Sequence, residues 1–114
     1  MRVELLYTEA DPHYMTVRQR MVEVLSEDAF ETPIQMIAVG SEEDAELLGF
    51  TGSPTIRIDG ADIWPPDDGA AALGPRRYPA DEDLDGAATE AMPGKRLIRR
   101  AVERARGWSH GRPG

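Results

Sequence analysis

The run Gly49-Phe50-Thr51-Gly52-Ser53-Pro54-Thr55-Ile56-Arg57-Ile58-Asp59-Gly60 constrains the fold more than any other part of the chain. Thr55 to Asp59 is rich in β-branched residues and reads as a strand, and Asp59-Gly60 reads as the turn that ends it. A proline is tolerated at the head of a strand, where no ladder donor is lost, and Pro54 directly after Ser53 is a candidate for a cis peptide.

A strand held between a proline and a tight turn needs sheet neighbours, and the preceding residues supply them. Val3, Leu5, Leu6 and Tyr7 form a short run apolar enough to be covered on both faces. Asp11-Pro12 predicts a helix start with Asp11 as its N-cap. Tyr14, Val17, Met21, Val24 and Leu25 then recur at steps of three and four, giving a helical face that ends near Asp28. Pro33 opens a second strand, Ile34 to Val39, which Gly40 closes. Ser41 and Asp44 have capping-box spacing for a short helix through Leu48, terminated by Gly49.

Beyond Gly60 the chain changes character. Residues 61–92 are rich in Asp, Pro, Gly and Ala, with Ile63, Trp64, Leu73, Tyr78 and Leu84 as the sizeable apolar anchors. They predict a long, partly mobile acidic loop with at most one short strand near Arg76 to Tyr78. From Gly94 onward, Leu97, Ile98, Ala101, Val102 and Ala105 form the face of a last amphipathic helix, and residues 107–114 read as a flexible tail. The whole predicts a single α/β domain over residues 1–106.

With 114 residues, the chain has core material for one domain. It contains no cysteine, which excludes disulfides, Cys-ligated metal centres and every thiol mechanism. A net charge of −8 opposes general binding to nucleic acid or to an anionic membrane. The charge is uneven, because residues 93–114 carry seven basic side chains against the single acid Glu103. This strip reads as a solvated helix face drawn to an acidic body. The chain offers no signal-peptide pattern at Met1 and no run of apolar residues long enough to span a bilayer, so a cytoplasmic location is expected.

Several chemical signals are tempting but thin. Asp81-Glu82-Asp83-Leu84-Asp85-Gly86 opens like a calcium loop, yet Met92 stands where the bidentate glutamate belongs, and a solvated acidic run accounts for it better. His13 and His110 are too far apart to argue a metal site. Trp64-Pro65-Pro66 reads as cover for a sheet edge, or as a contact spot for a partner. Nothing in the sequence points to a metal or a cofactor.

The order strand, helix, strand, helix, proline-led strand, short strand, helix, together with Gly52-Ser53-Pro54-Thr55-Ile56-x-Ile58-Asp59-Gly60, resembles the thioredoxin-like superfamily. The resemblance covers most of residues 1–60 and 94–106. It implies a central mixed sheet of about four strands flanked by three helices, with a long loop before the last helix. The chain is most similar to small bacterial thioredoxin-like proteins with a Cys-Pro-x-Trp site after the first strand, some of them labelled as relatives of organomercurial lyases. Here Asp11-Pro12-His13-Tyr14 stands in that place, and Pro75-Arg76-Arg77-Tyr78 stands where those relatives tend to have Cys-Arg-x-Tyr. Both sulfurs are gone, so the family's redox chemistry and its protonolysis of carbon–mercury bonds do not transfer.

What the resemblance leaves is a binding corner. In the superfamily a cis peptide before this proline turns the preceding backbone outward beside the first helix N-terminus, where an extended peptide can pair with it. Asp11, His13, Tyr14, Thr51, Ser53, Pro54 and Arg76 are the candidate ligand-binding residues. The implied function is a redox-inactive binding or accessory module, whose partner at the Ser53-Pro54 corner is a peptide, a protein or a small ligand. A second reading is a small enzyme in which Asp11 and His13 perform acid–base chemistry in the vacated thiol site. A third is a homo- or hetero-oligomer whose basic last helix docks on an acidic surface.

Overall fold

In chain order the elements are β1 (Val3–Tyr7), α1 (Tyr14–Ser26), β2 (Ile34–Ala38), α2 (Glu42–Leu48), β3 (Thr51–Ser53), β4 (Thr55–Ile58), β5 (Ala61–Asp62), β6 (Ala72–Pro75), β7 (Tyr78–Pro79), β8 (Thr89–Glu90) and α3 (Lys95–His110). They are seen in a computed structural model that describes residues 1–27, 32–66 and 71–110. The fold is α/β, with a mixed main sheet and three helices.

β1 lies inside the sheet, burying Val3 and Leu5 on one face and Leu6 on the other. It pairs in parallel with β2, Leu5 opposite Met36, and antiparallel with β4, Leu5 opposite Ile56. β5 follows β4 through the Asp59-Gly60 turn, where both residues have the positive φ that a tight hairpin needs (52° and 84°). The order is β2-β1-β4-β5. Alternation along β1 then assigns the layers. Val3 and Leu5 meet Val17, Met21 and Val24 of α1 and Leu97, Ile98 and Val102 of α3, whereas Leu6 joins Val39, Ala45 of α2 and Phe50 on the opposite face. Leu5, Leu6, Phe50 and Ile56 are fully buried, each stabilising the fold by about 1.5–3 kcal/mol.

Several boundaries differ from the sequence reading. Asp11 is not the N-cap of α1: a turn through Pro12 and His13 intervenes, His13 occupies the cap position, and the helix starts at Tyr14. The expected helix end near Asp28 falls outside the described residues; α1 runs to Ser26. Ser41 does cap α2, its Oγ accepting from the Asp44 N–H at 3.1 Å, and Gly49 ends that helix in the left-handed conformation.

Residues 61–92 hold more order than one short strand. β5 extends the main sheet, β6 pairs in parallel with β3, and β7 pairs antiparallel with β8. Two-residue strands are too short to show a period, and their pairings join residues distant in sequence. α3 continues past residue 106 to His110, into the segment read as a tail; residues 111–114 lie outside the described residues. Its first turn is capped from upstream. Both carboxylate oxygens of Asp81 accept from α3 amides, one from Arg96 N–H and the other from Leu97 N–H, each at 3.2 Å. The basic strip meets the acidic body as expected: Arg99 forms a two-pronged pair with Glu27, and Lys95 pairs with Glu23.

Candidate functional site

Parallel strands leave a crevice beyond their carboxyl ends, where the loops that follow them diverge. β1 and β2 end side by side at Tyr7 and Ala38. Thr8, Glu9 and Ala10 on one side, Val39, Gly40 and Asp44 on the other, and Leu73 of β6 enclose a cavity of about 610 Å³ there. A second cavity of about 360 Å³ shares Thr8, Ala10 and Leu73 and reaches Asp11, Pro12, His13, Ser53, Pro75 and Ala91. Through the shared residues the two adjoin as one groove, lined by Glu9, Asp11 and Asp44 and, among the described residues, by no lysine or arginine.

The floor of the smaller cavity is a closed polar set. Ser53, only 3% exposed, donates its hydroxyl to Asp11 Oδ2 at 2.6 Å and accepts from the Thr8 N–H at 3.1 Å. Asp11 Oδ1 accepts from the His13 N–H at 2.8 Å. Three separate stretches are thereby tied together: the end of β1, the turn before α1, and the corner between β3 and β4. The Ser53-Pro54 peptide is cis, as the sequence led one to expect.

That corner is closed by the second half of the chain. The Tyr78 hydroxyl donates to the Pro54 carbonyl, and the Ser53 carbonyl accepts the Arg76 N–H at 3.0 Å. The backbone position at which an outside peptide would pair is thus taken by the residue following β6.

The structure brings Asp11, His13 and Ser53 to one cavity and places the other candidates around it. Pro54 is buried behind Ser53. The Tyr14 ring stacks on Tyr7 with centroids 4.1 Å apart. Thr51 lines neither cavity, and its buried hydroxyl has no hydrogen-bond partner among the described residues. Arg76 does not border the groove. Its guanidinium is buried, paired with Asp62 at 2.8 Å, donating to Thr55 Oγ1 at 3.2 Å and to the Trp64 carbonyl, and lying 4.8 Å from the Tyr78 ring centre. Burial pushes the Tyr78 phenol well above its ordinary pKa; the Arg76 charge opposes that shift, while Asp62 and Asp11 add to it.

Sequence reading missed Thr8, Leu73, Pro75 and Ala91. Thr8 was within reach, as the first residue past an apolar strand. Leu73, Pro75 and Ala91 arrive by pairings that leave no periodic trace. Among the described residues no group of three or more His, Asp and Glu side chains is placed to hold a metal ion, and no helix is long and apolar enough to cross a membrane.

Fold and groove together define a cysteine-free α/β domain with a crevice at the carboxyl ends of its parallel strands. Compared with known proteins, the chain matches no family model, no curated protein and no solved structure.

Proposed function

We propose that this chain is a thioredoxin-like domain without thiol chemistry that serves in the cytoplasm as a binding or accessory module, taking a small ligand or a partner's side chain into the groove beside Asp11, His13 and Ser53. The observation that carries this reading is the cavity of about 360 Å³ whose polar floor is internally satisfied by the Asp11–Ser53 hydrogen bond at 2.6 Å. A preformed concavity with mostly apolar walls and a few fixed polar groups is the usual form of a binding site. Both Asp11 oxygens already accept hydrogen bonds from the protein, which favours binding over acid–base catalysis. With the Ser53 carbonyl engaged by Arg76, the occupant fills the groove rather than adding a strand there.

The test is a fragment and peptide library titrated against the ¹⁵N-labelled protein. Binding is expected to shift the amides of Thr8, Asp11, His13, Ser53 and Leu73 together, and Leu73→Trp, which fills the cavity, should remove the response. Hits that map elsewhere, or that survive Leu73→Trp in a folded protein, would overturn the assignment.

A further inference from the structure

β2 is an outer strand of the main sheet: β1 covers one side, and no strand among the described residues pairs with the other. A β-strand directs the N–H and C=O of each residue to one side and those of the next to the opposite side. The Val39 N–H donates to the Tyr7 carbonyl at 2.8 Å, so the odd residues of this stretch, Gln35 and Ile37 among them, face β1. Ile34, Met36 and Ala38 therefore present their backbone donors and acceptors outward.

Such an edge is a template for another strand, and proteins commonly blunt it with charged side chains. Here residues 32–40 contain no charged residue at all. The opposite edge, β5, is only two residues long.

We propose that two copies of this chain pair antiparallel through β2, about a two-fold axis at Met36, to form a continuous eight-stranded sheet ordered β5-β4-β1-β2-β2-β1-β4-β5. The three outward-facing residues are symmetric about Met36, so one rotation sets Met36 opposite Met36 and Ile34 opposite Ala38 in both directions. Every outward group then finds a partner, about six backbone hydrogen bonds in all. The choice of a second copy follows from charge. For a chain carrying −8, an uncharged strand lets two copies meet without like charges directly opposed. Half-buried Ile34, Met36 and Ile37 flank the seam and would lose further contact with water.

Sedimentation equilibrium on the intact protein should give a mass rising with concentration from 12.6 kDa towards twice that value. Hydrogen exchange should slow with concentration at the amides of Ile34, Met36 and Ala38, while Gln35 and Ile37 stay protected throughout. Ala38→Pro removes an outward N–H without touching the β1 ladder, and Met36→Lys sets two cations face to face. Each should weaken association at least tenfold while keeping the native circular dichroism spectrum. A monomer at up to about 1 mM, or a dimer in which those three amides exchange as fast as when dilute, overturns the proposal whether or not the variants fold.

Discussion

Ser53 answers two groups at once, and removing its hydroxyl strands both. Ser53→Ala leaves Asp11 Oδ2 and the Thr8 N–H without their shared partner, a loss of about 1–3 kcal/mol, read from the midpoint of a denaturant unfolding curve. Tyr78 makes the same argument with a titration attached. Its phenol is buried and its pKa is raised from 10.0, so the fold favours the protonated form. The stability this contributes is fully present below pH 10 and is lost as pH rises above it, because the unfolded chain ionises first. Unfolding midpoints should therefore fall steeply above about pH 10, and Tyr78→Phe should flatten that fall while lowering stability at neutral pH, since the Pro54 carbonyl is left without its donor. At this scale the sequence was partly legible. Asp11 and Ser53 were both marked as groove residues from one short motif each, but nothing in Pro75-Arg76-Arg77-Tyr78 shows that Arg76 turns inward to Asp62, because a buried cation is defined by its distant partners.

Among the elements, β3 and β6 depend on the absence of a side chain at Gly52. Its φ is +124°, and a Cβ there would press on Arg76 Cγ and stand 2.9 Å from the Gly74 carbonyl oxygen. Gly52→Ala is expected to cost about 1–3 kcal/mol from the backbone conformation alone and to separate β6 from β3. The measurable sign is faster hydrogen exchange at the Arg76 amide, while amides of the β1–β4 ladder remain protected. β1, β2, β4 and the bodies of α1 and α2 were readable because they carry periods of two and of three to four, together with turns of known chemistry. The pairings of β3 with β6 and of β7 with β8 were not, because two to four residues with little apolar alternation are positioned by the surfaces they land on.

Across the whole molecule, α1 and α3 are laced by ion pairs at their solvent edge. Glu23 and Glu27 have their carboxyl pKa values lowered, chiefly by hydrogen bonds from Lys95 and Arg99 respectively. Carboxylates depressed in the fold add stability above their ordinary value of 4.5 and lose it as pH falls through the folded value. The pairs are exposed, so the effect is small and screened by salt. Glu27→Gln should thus soften the acid limb of a pH-stability profile at low ionic strength and change little at high salt.

The inward-turned Arg76 has a consequence for how this molecule tolerates change. One side chain bolts β4, the segment around Asp62 and Trp64, and the approach to β7 to a common point, whereas Gly74 and Pro75 just before it are exposed. A saturation scan for folded protein should show intolerance at position 76 as well as at buried Tyr78, with Arg76→Lys rejected because an ammonium lacks the planar fork, and broad permissiveness at positions 74 and 75. The stretch around β6 and β7 is, on this account, hung from inward pegs at Arg76 and Tyr78, while its exposed links stay free to change.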